Sequence, residues 1–144
     1  SYLGVDFSTM ALQIARLVSP ANCTYVHVSD EAGLAPHRGQ IDTAVGRYFW
    51  IHQNFEQAGQ NLAFLEDFLR PGGRLYADFF WPDEDAEHFV VLKPDDPLSK
   101  QYPSAMFQYS SQDVRRLIAD RPFQVISETV SKRMERRYVI LERQ

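Results

Sequence analysis

The stretch Tyr2-Leu3-Gly4-Val5-Asp6, near the start of the sequence, predicts a buried β-strand that ends on an acidic residue. An acid at the carboxyl end of a strand in an α/β protein is well placed to accept hydrogen bonds from both hydroxyls of a ribose. No glycine-rich phosphate-binding loop accompanies the strand in this sequence. The alternative role of Asp6 is a helix N-cap or first-turn acid, which suits the helix dipole equally well.

Outward from this strand, the sequence alternates predicted strands and helices. Apolar residues recur at helical spacing from Met10 to Val18, and further strands are predicted at residues 24–28, 41–45 and 75–80. A long amphipathic helix precedes Pro71-Gly72-Gly73, and a capping-box pattern at Ser110 starts another. The last two strands, 123–130 and 137–141, are too close for a crossover helix and must pair antiparallel. The predicted fold class is α/β, with a mostly parallel Rossmann-like sheet, helices on both faces and a C-terminal antiparallel hairpin.

Residues 81–109 interrupt this alternation with four prolines, an acidic cluster and scattered aromatic residues. A long irregular excursion of this kind predicts a lid or substrate-binding loop inserted into a single domain, 1–144. Its aromatic side chains are candidates for a substrate pocket, and packing in the core is the alternative. These candidate substrate-binding residues are Trp81, Tyr102, Phe107 and Tyr109.

Composition narrows the classes of function. The net charge of -4 and the calculated pI of about 5.5 argue against a nucleic-acid partner. No apolar run approaches the roughly 20 residues of a membrane span, so we expect a cytoplasmic protein with no membrane association. Cys23 is the only cysteine, and His27, His37 and His88 lack metal-ligand spacing, so we predict no metal site.

Several motifs carry a resemblance to a known family. Gly4-Val5-Asp6-Phe7-Ser8, leading into a helix that begins Met10-Ala11-Leu12, resembles the second strand and following helix of class I S-adenosylmethionine-dependent methyltransferases. Ser29-Asp30-Glu31-Ala32 is similar to the adenine-side loop of that family, and Ile41-Asp42-Thr43-Ala44-Val45 to its fourth strand.

The resemblance continues to the end of the chain. Phe49-Trp50-Ile51-His52 resembles the segment after the fourth strand, and Phe68-Leu69-Arg70-Pro71-Gly72-Gly73-Arg74-Leu75 the helix-turn-strand signature before the fifth. The first strand and the glycine-rich loop of the family are not in this sequence. We therefore expect a domain that is incomplete at its N-terminal side, as a portion of a longer enzyme.

The resemblance implies a function and a set of binding residues. The implied activity is methyl transfer from S-adenosylmethionine to a small-molecule acceptor, without a nucleic-acid substrate. Asp6 would hold the ribose, Asp30 would accept from the adenine amino group, and an Asx turn is the alternative for Asp30. The other implied cofactor-binding residues are Phe7, Ser8, Met10, Glu31, Gly46 and Arg47.

Catalytic residues are harder to identify, because methyl transfer depends largely on alignment and proximity. His52 is a candidate general base, with a capping or packing contact as its alternative, and Tyr48 can offer its ring or hydroxyl near the sulfonium. Two other functions stay open: a non-catalytic methyltransferase-like interaction module, and a nicotinamide-dependent dehydrogenase, which also uses a ribose-binding acid. The terminal hairpin and the Pro71-Gly72-Gly73 turn argue against the dehydrogenase.

Overall fold

Two parallel strands and one longer helix form most of the first unit of the chain, Ser1–Arg38. The computed structural model describes residues 1–81, 91–102 and 105–144. Strand β1, Tyr2–Asp6, pairs in parallel with β2, Cys23–His27, so that Asp6 lies opposite His27. Helix α1, Thr9–Val18, connects them, and a short helix α2, Glu31–Leu34, is followed by a 3-10 turn, Ala35–His37. The sequence predicts only a loop over this last region.

Helix α1 begins and ends where its sequence predicts. The Ser8 hydroxyl accepts from the Ala11 N–H at 3.2 Å and so caps the helix, which ends two residues before Pro20. Its apolar stripe is less buried than the spacing suggests. Leu12 is buried, whereas most of the other apolar side chains are exposed: Met10, Ile14, Leu17 and Val18.

The second unit, Gly39–Gln144, is built on a four-stranded sheet in the order β3-β4-β8-β7. These strands are β3, Ile41–Gly46; β4, Leu69–Phe80; β7, Phe123–Ser131; and β8, Arg136–Arg143. The other elements are a 3-10 turn Trp50–His52, helix α3 Phe55–Phe68, strand β5 Val91–Leu92, a 3-10 turn Pro97–Lys100, strand β6 Met106–Phe107 and helix α4 Ser111–Ile118.

The C-terminal hairpin is confirmed, since β7 and β8 pair antiparallel. The expectation of a mostly parallel sheet needs correction. Parallel pairing holds for β1–β2, β3–β4 and β5–β6, but β8 inserts between β4 and β7 and runs antiparallel to both. Among the described residues, the strands form three separate sheets instead of one continuous parallel sheet.

One face of the four-stranded sheet packs against both α-helices of this unit. Every second residue of β4 enters the core from Leu75 to Phe79, where Ala58 and Leu62 of α3 and apolar residues of α4 meet it. The capping boxes at Asn54 and Ser110 define where these helices begin.

The turn after α3 differs from its prediction. The helix ends at Phe68, and β4 starts at once, with Leu69 opposite Ile41. Residues 70–73 then stand opposite Asp42 alone, because the next paired residues are Thr43 and Arg74. Gly72 adopts a φ of 75°, which a residue with a side chain rarely adopts, so the glycine permits this bulge.

Candidate functional site

The carboxyl end of β1 carries the acid that the sequence singles out. The Asp6 Oδ1 atom accepts from the Ser8 N–H at 2.7 Å, which orients the carboxylate within its own loop. Ser8 acts as the N-cap, so Asp6 does not serve that alternative role. The neighbouring apolar side chains of Phe7 and Met10 are 78% and 71% exposed. A half-buried acid beside exposed aromatic and thioether surface is a chemically suitable set for a nucleoside.

Asp30 and Glu31, the candidates for the adenine side, make contacts within the first unit. The Asp30 side chain caps α2 by accepting from the Gly33 N–H at 3.0 Å, so it forms a helix N-cap where the alternative was an Asx turn in a loop. Glu31 pairs with Arg38 at 2.5 Å in an exposed position. Both residues remain predicted cofactor ligands, and their carboxylates already have partners in the chain.

His27 was not identified as a functional candidate, because the sequence argument considered only metal-ligand spacing. In the structure its ring connects the carboxyl ends of β1 and β2. The Nε2 atom lies 2.8 Å from the Phe7 carbonyl oxygen, and Nδ1 lies 2.7 Å from the Ser29 hydroxyl. No local pattern predicts this arrangement, since Phe7 and His27 are distant in sequence.

In the second unit, Gly46 ends β3, and Arg47 and Tyr48 follow it in a constrained loop. A Cβ atom at Gly46 would overlap the Trp50 indole Nε1, so packing by itself accounts for glycine there. Within the described residues, this buried indole N–H has no hydrogen-bond acceptor. Tyr48 adopts a φ of 55°, which is uncommon for a non-glycine residue, and its N–H donates to the Asp78 Oδ1 atom at 2.8 Å.

Two guanidinium groups lie close to the Tyr48 ring. Arg47 is 5.0 Å and Arg136 is 5.1 Å from the ring centroid, within the range of cation–π attraction. Arg47 is thereby placed against the residue that follows it in the chain. The sequence did not identify Arg136 as a site residue, because its position in a hairpin suggested a solvated turn.

Asp78 is the buried acid of this region. Its side chain is 6% exposed and lies 3.6 Å from the Arg136 side chain, which is 12% exposed. Burial raises the pKa of the Asp78 carboxyl above its ordinary value, although the Tyr48 N–H and the Arg136 charge both act to lower it. Desolvation is therefore the dominant effect on this carboxyl.

An open groove of about 300 Å³ lies on the sheet face next to this loop. Most of its lining consists of apolar and hydroxyl-bearing side chains from the four strands, with Arg47 and Asp78 at the carboxyl ends of β3 and β4. The other lining side chains include Val45, Tyr76, Ser127, Thr129, Tyr138 and Ile140.

His52, the candidate general base, lies in the exposed part of the 3-10 turn after this loop. Its Nδ1 atom is 3.3 Å from the Ala105 carbonyl oxygen, a long hydrogen bond to the backbone. This contact corresponds to the packing alternative, and the role of His52 as a base stays a prediction.

The four aromatic candidates for the substrate pocket occupy different environments. Phe107 and Tyr109 are 1% and 0% exposed in the core, and the Tyr109 hydroxyl donates to the Gln53 carbonyl at 2.9 Å. Burial raises the pKa of this hydroxyl. Trp81 packs its ring against the Arg137 guanidinium at 4.4 Å, whereas Tyr102 is about half exposed. Residues 82–90 and 103–104 of the predicted lid lie outside the described residues.

No protein-family model and no curated protein matches this sequence. Solved structures do resemble it. A S-adenosylmethionine-dependent methyltransferase from Methanosarcina mazei matches with a TM-score of 0.69 at 14% identity, over 98% of this chain and 81% of that one.

Two further matches are enzymes crystallised with S-adenosylhomocysteine. The 1,6-didemethyltoxoflavin-N1-methyltransferase of Burkholderia thailandensis has a TM-score of 0.64 at 17% identity, over 99% of this chain and 60% of that one. The magnesium protoporphyrin IX methyltransferase of Synechocystis has a TM-score of 0.61 at 18% identity, over 99% of this chain and 64% of that one. The chain thus spans less than two thirds of each of these two enzymes.

These likenesses establish the architecture. The chain has the fold of class I S-adenosylmethionine-dependent methyltransferases, as the motifs from Gly4 to Leu75 indicate. Within the described residues, no helix is long and apolar enough to cross a membrane. The same residues contain no group of three or more histidine, cysteine or acidic side chains arranged to hold a metal ion.

Proposed function

We propose that the chain belongs to an S-adenosylmethionine-dependent methyltransferase that acts on a small-molecule acceptor. The observation that carries this proposal is Asp6, a carboxylate held by the Ser8 N–H at the carboxyl end of a parallel strand. Ligands of open α/β folds bind at the carboxyl ends of the strands, and an acid there can accept from the ribose hydroxyls. Methyltransferases of the same fold crystallised with S-adenosylhomocysteine support S-adenosylmethionine as the source of this nucleoside.

The residues of the first unit fit the adenosine half of the cofactor. One Asp6 oxygen accepts from Ser8, which leaves lone pairs on the other oxygen for a ribose hydroxyl. The exposed side chains of Phe7 and Met10 provide apolar surface for the adenine ring. Asp30 and Glu31 would contribute on the adenine side, where the remaining lone pairs of the Asp30 carboxylate can accept from an amino group.

The family resemblance predicts that the residues after β3 act at the reacting end. The cofactor supplies an activated methyl group, and the protein must align an acceptor with it and exclude water. Tyr48 would lie near the sulfonium, and because the Arg47 and Arg136 guanidinium groups already lie 5.0 and 5.1 Å from its ring centroid, its hydroxyl is the group that it can offer there. Arg47 is suited to a carboxylate, and Gly46 stays a predicted cofactor contact although the Trp50 indole fills the space beside its Cα atom. His52 would accept the acceptor's proton, and Trp81 and Tyr102 would contact the acceptor.

A small-molecule acceptor is supported by the structural neighbours. One binds 1,6-didemethyltoxoflavin, and another is a magnesium protoporphyrin IX methyltransferase. The open groove of about 300 Å³, with its mostly apolar lining, is of a size that suits a small ligand.

A non-catalytic methyltransferase-like module is the second candidate. The observation that favours it is that several predicted site residues already have partners inside the chain. The Trp50 indole fills the space beside Gly46, and the Asp30 carboxylate accepts from the Gly33 N–H. The His52 ring lies within hydrogen-bond distance of the Ala105 carbonyl oxygen. Such a module keeps the fold and binds no cofactor.

Calorimetric titration with S-adenosylhomocysteine tests the proposal. The key variant is Asp6→Asn, because its amide oxygen can still accept from Ser8 while its NH₂ cannot accept from ribose. Loss of hydrogen bonds to a charged group is worth about 1.5–3 kcal/mol, or about ten- to a hundredfold in affinity. Asp120→Asn, at an exposed position after α4, makes the same change of charge and should leave binding unchanged.

The two candidates predict different results. Binding by the wild type that Asp6→Asn weakens and Asp120→Asn does not would support the methyltransferase. No binding by the full-length wild-type protein would overturn it in favour of the interaction module. Titration with NADH in the same experiment tests the dehydrogenase, for which we expect no binding.

A further inference from the structure

The His27 side chain makes three hydrogen bonds at the carboxyl ends of β1 and β2. Its Nε2 atom is 2.8 Å from the Phe7 carbonyl oxygen, and its Nδ1 atom is 2.7 Å from the Ser29 hydroxyl. The Ser29 N–H also donates to Nδ1, at 3.2 Å. Both ring nitrogens of this half-buried side chain therefore have partners.

The partners determine which nitrogen carries the proton. A carbonyl oxygen can only accept, so the bond to Phe7 requires hydrogen on Nε2. A backbone N–H can only donate, so the bond from Ser29 requires a bare lone pair on Nδ1. These contacts place the hydrogen on Nε2 and leave Nδ1 to accept from the Ser29 hydroxyl.

These bonds connect two loops that carry candidate cofactor ligands. Phe7 lies between Asp6 and Ser8, and Ser29 immediately precedes Asp30. The main chain reinforces the connection, since the His27 carbonyl accepts from the Asp30 N–H at 2.9 Å and the Asp6 carbonyl accepts from the Val28 N–H at 3.0 Å. The His27 side chain therefore adds two contacts, to Phe7 and to Ser29, to the main-chain pairing that brings the ribose and adenine loops together.

We propose that His27 is a positioning residue for the adenosine half of the cofactor. It holds the loops of Asp6 and Asp30 at the separation that a bound nucleoside requires, without itself contacting the nucleoside. This inference rests on the proposed function. A ligand that touches both loops binds more weakly when each loop is free to move, because their ordering is then part of the cost of binding.

Three substitutions at His27 test its contact with Phe7 separately from its contact with Ser29. His27→Asn keeps an acceptor near Nδ1 for Ser29 but does not reach Phe7. His27→Gln keeps a donor near Nε2 for Phe7 but places no acceptor at Nδ1, and His27→Ala removes both. His37→Ala, in the 3-10 turn of the same unit, is the matched control.

The first measurement is affinity for S-adenosylhomocysteine by calorimetry on the full chain. We expect His27→Ala to weaken binding about tenfold or more, the Asn and Gln variants to lie between Ala and the wild type, and His37→Ala to have no effect. Ser29→Ala should weaken binding in the wild type but add little in the His27→Ala background, because both changes break the same connection. If His27→Ala weakened binding only through a general loss of packing, Asn and Gln would not restore part of the affinity.

The second measurement is the ring ¹⁵N spectrum of the wild type at about pH 8, where a neutral histidine shows which nitrogen is protonated. Hydrogen on Nε2 is expected, and this needs no variant to fold. Wild-type binding that His27→Ala leaves unchanged, or a ring with its hydrogen on Nδ1, would overturn the inference and leave the proposed function standing. No binding by the full-length wild-type protein would overturn both.

Discussion

The Tyr48 N–H donates to the Asp78 Oδ1 atom at 2.8 Å, and this bond ties the loop after β3 to a buried acid on β4. Tyr48 holds a φ of 55°, a conformation that costs a non-glycine residue roughly 1–2 kcal/mol. The bond to a buried carboxylate is strong enough to offset that cost. The geometry of the loop therefore depends on a residue thirty positions away.

We expect Asp78→Ala to destabilise the fold by about 2 kcal/mol, because it leaves the Tyr48 N–H unpaired and removes the acid beside Arg136. Asp78→Asn should cost less, since its amide oxygen can still accept from Tyr48. Urea unfolding measures both. Asp42→Ala, which removes an exposed partner of Arg70, is the control and should change stability by no more than about 1 kcal/mol. Equal effects at positions 78 and 42 would contradict the assignment.

The raised pKa of Asp78 predicts a pH dependence of stability. The folded chain binds this proton more tightly than the unfolded chain does. The protonated Asp78 carboxyl therefore makes its full contribution to the free energy of unfolding below its ordinary pKa of 3.8. This contribution is lost as the pH rises through the higher pKa of the folded state. The wild type should lose stability relative to Asp78→Asn across that window, as measured by urea unfolding at a series of pH values. A constant difference between the two proteins would show that the carboxyl is not perturbed.

Two glycine-to-alanine substitutions should have opposite effects. Gly46→Ala forces a methyl group against the Trp50 indole and should cost about 1–3 kcal/mol. Gly59→Ala, inside α3, meets only the Arg121 side chain at an ordinary 3.6 Å and should stabilise the helix by about 0.5–1 kcal/mol. Thermal unfolding measures both changes. A neutral Gly46→Ala would mean that Trp50 does not occupy that space.

Tyr109→Phe should destabilise the protein by about 1 kcal/mol, because the Gln53 carbonyl loses a buried donor. Tyr102→Phe is the comparison, since its half-exposed ring predicts little change in urea unfolding. A stability unaffected by Tyr109→Phe would argue against its structural role and return it to the candidates for the substrate pocket.

Local signals predicted many of the elements. The capping box of Ser110 with Asp113 correctly predicted the start of α4, and the short gap after Val130 correctly predicted an antiparallel hairpin. These features depend on neighbouring residues, so they can be recognised without knowledge of the rest of the fold. Helix α2 escaped prediction because it is short and has no apolar period.

Long-range relationships were not predictable in this way. The insertion of β8 between β4 and β7 depends on how whole strands pack, and it makes the larger sheet partly antiparallel. The same insertion brings Arg136 beside Asp78, whereas the sequence places Arg136 only in a basic hairpin. Nothing in the spacing of these two residues indicates that they meet.

The sequence by itself determined the order of the elements, the acid at the end of β1 and the resemblance that the solved structures confirm for the fold. These follow from periodicity, capping and turn chemistry, which act over a few residues. Only the tertiary structure decided that His27 connects two loops and that Asp78 is buried and accepts from the Tyr48 N–H. Hydrogen bonding and desolvation depend on which groups meet in space, and that is a property of the folded chain.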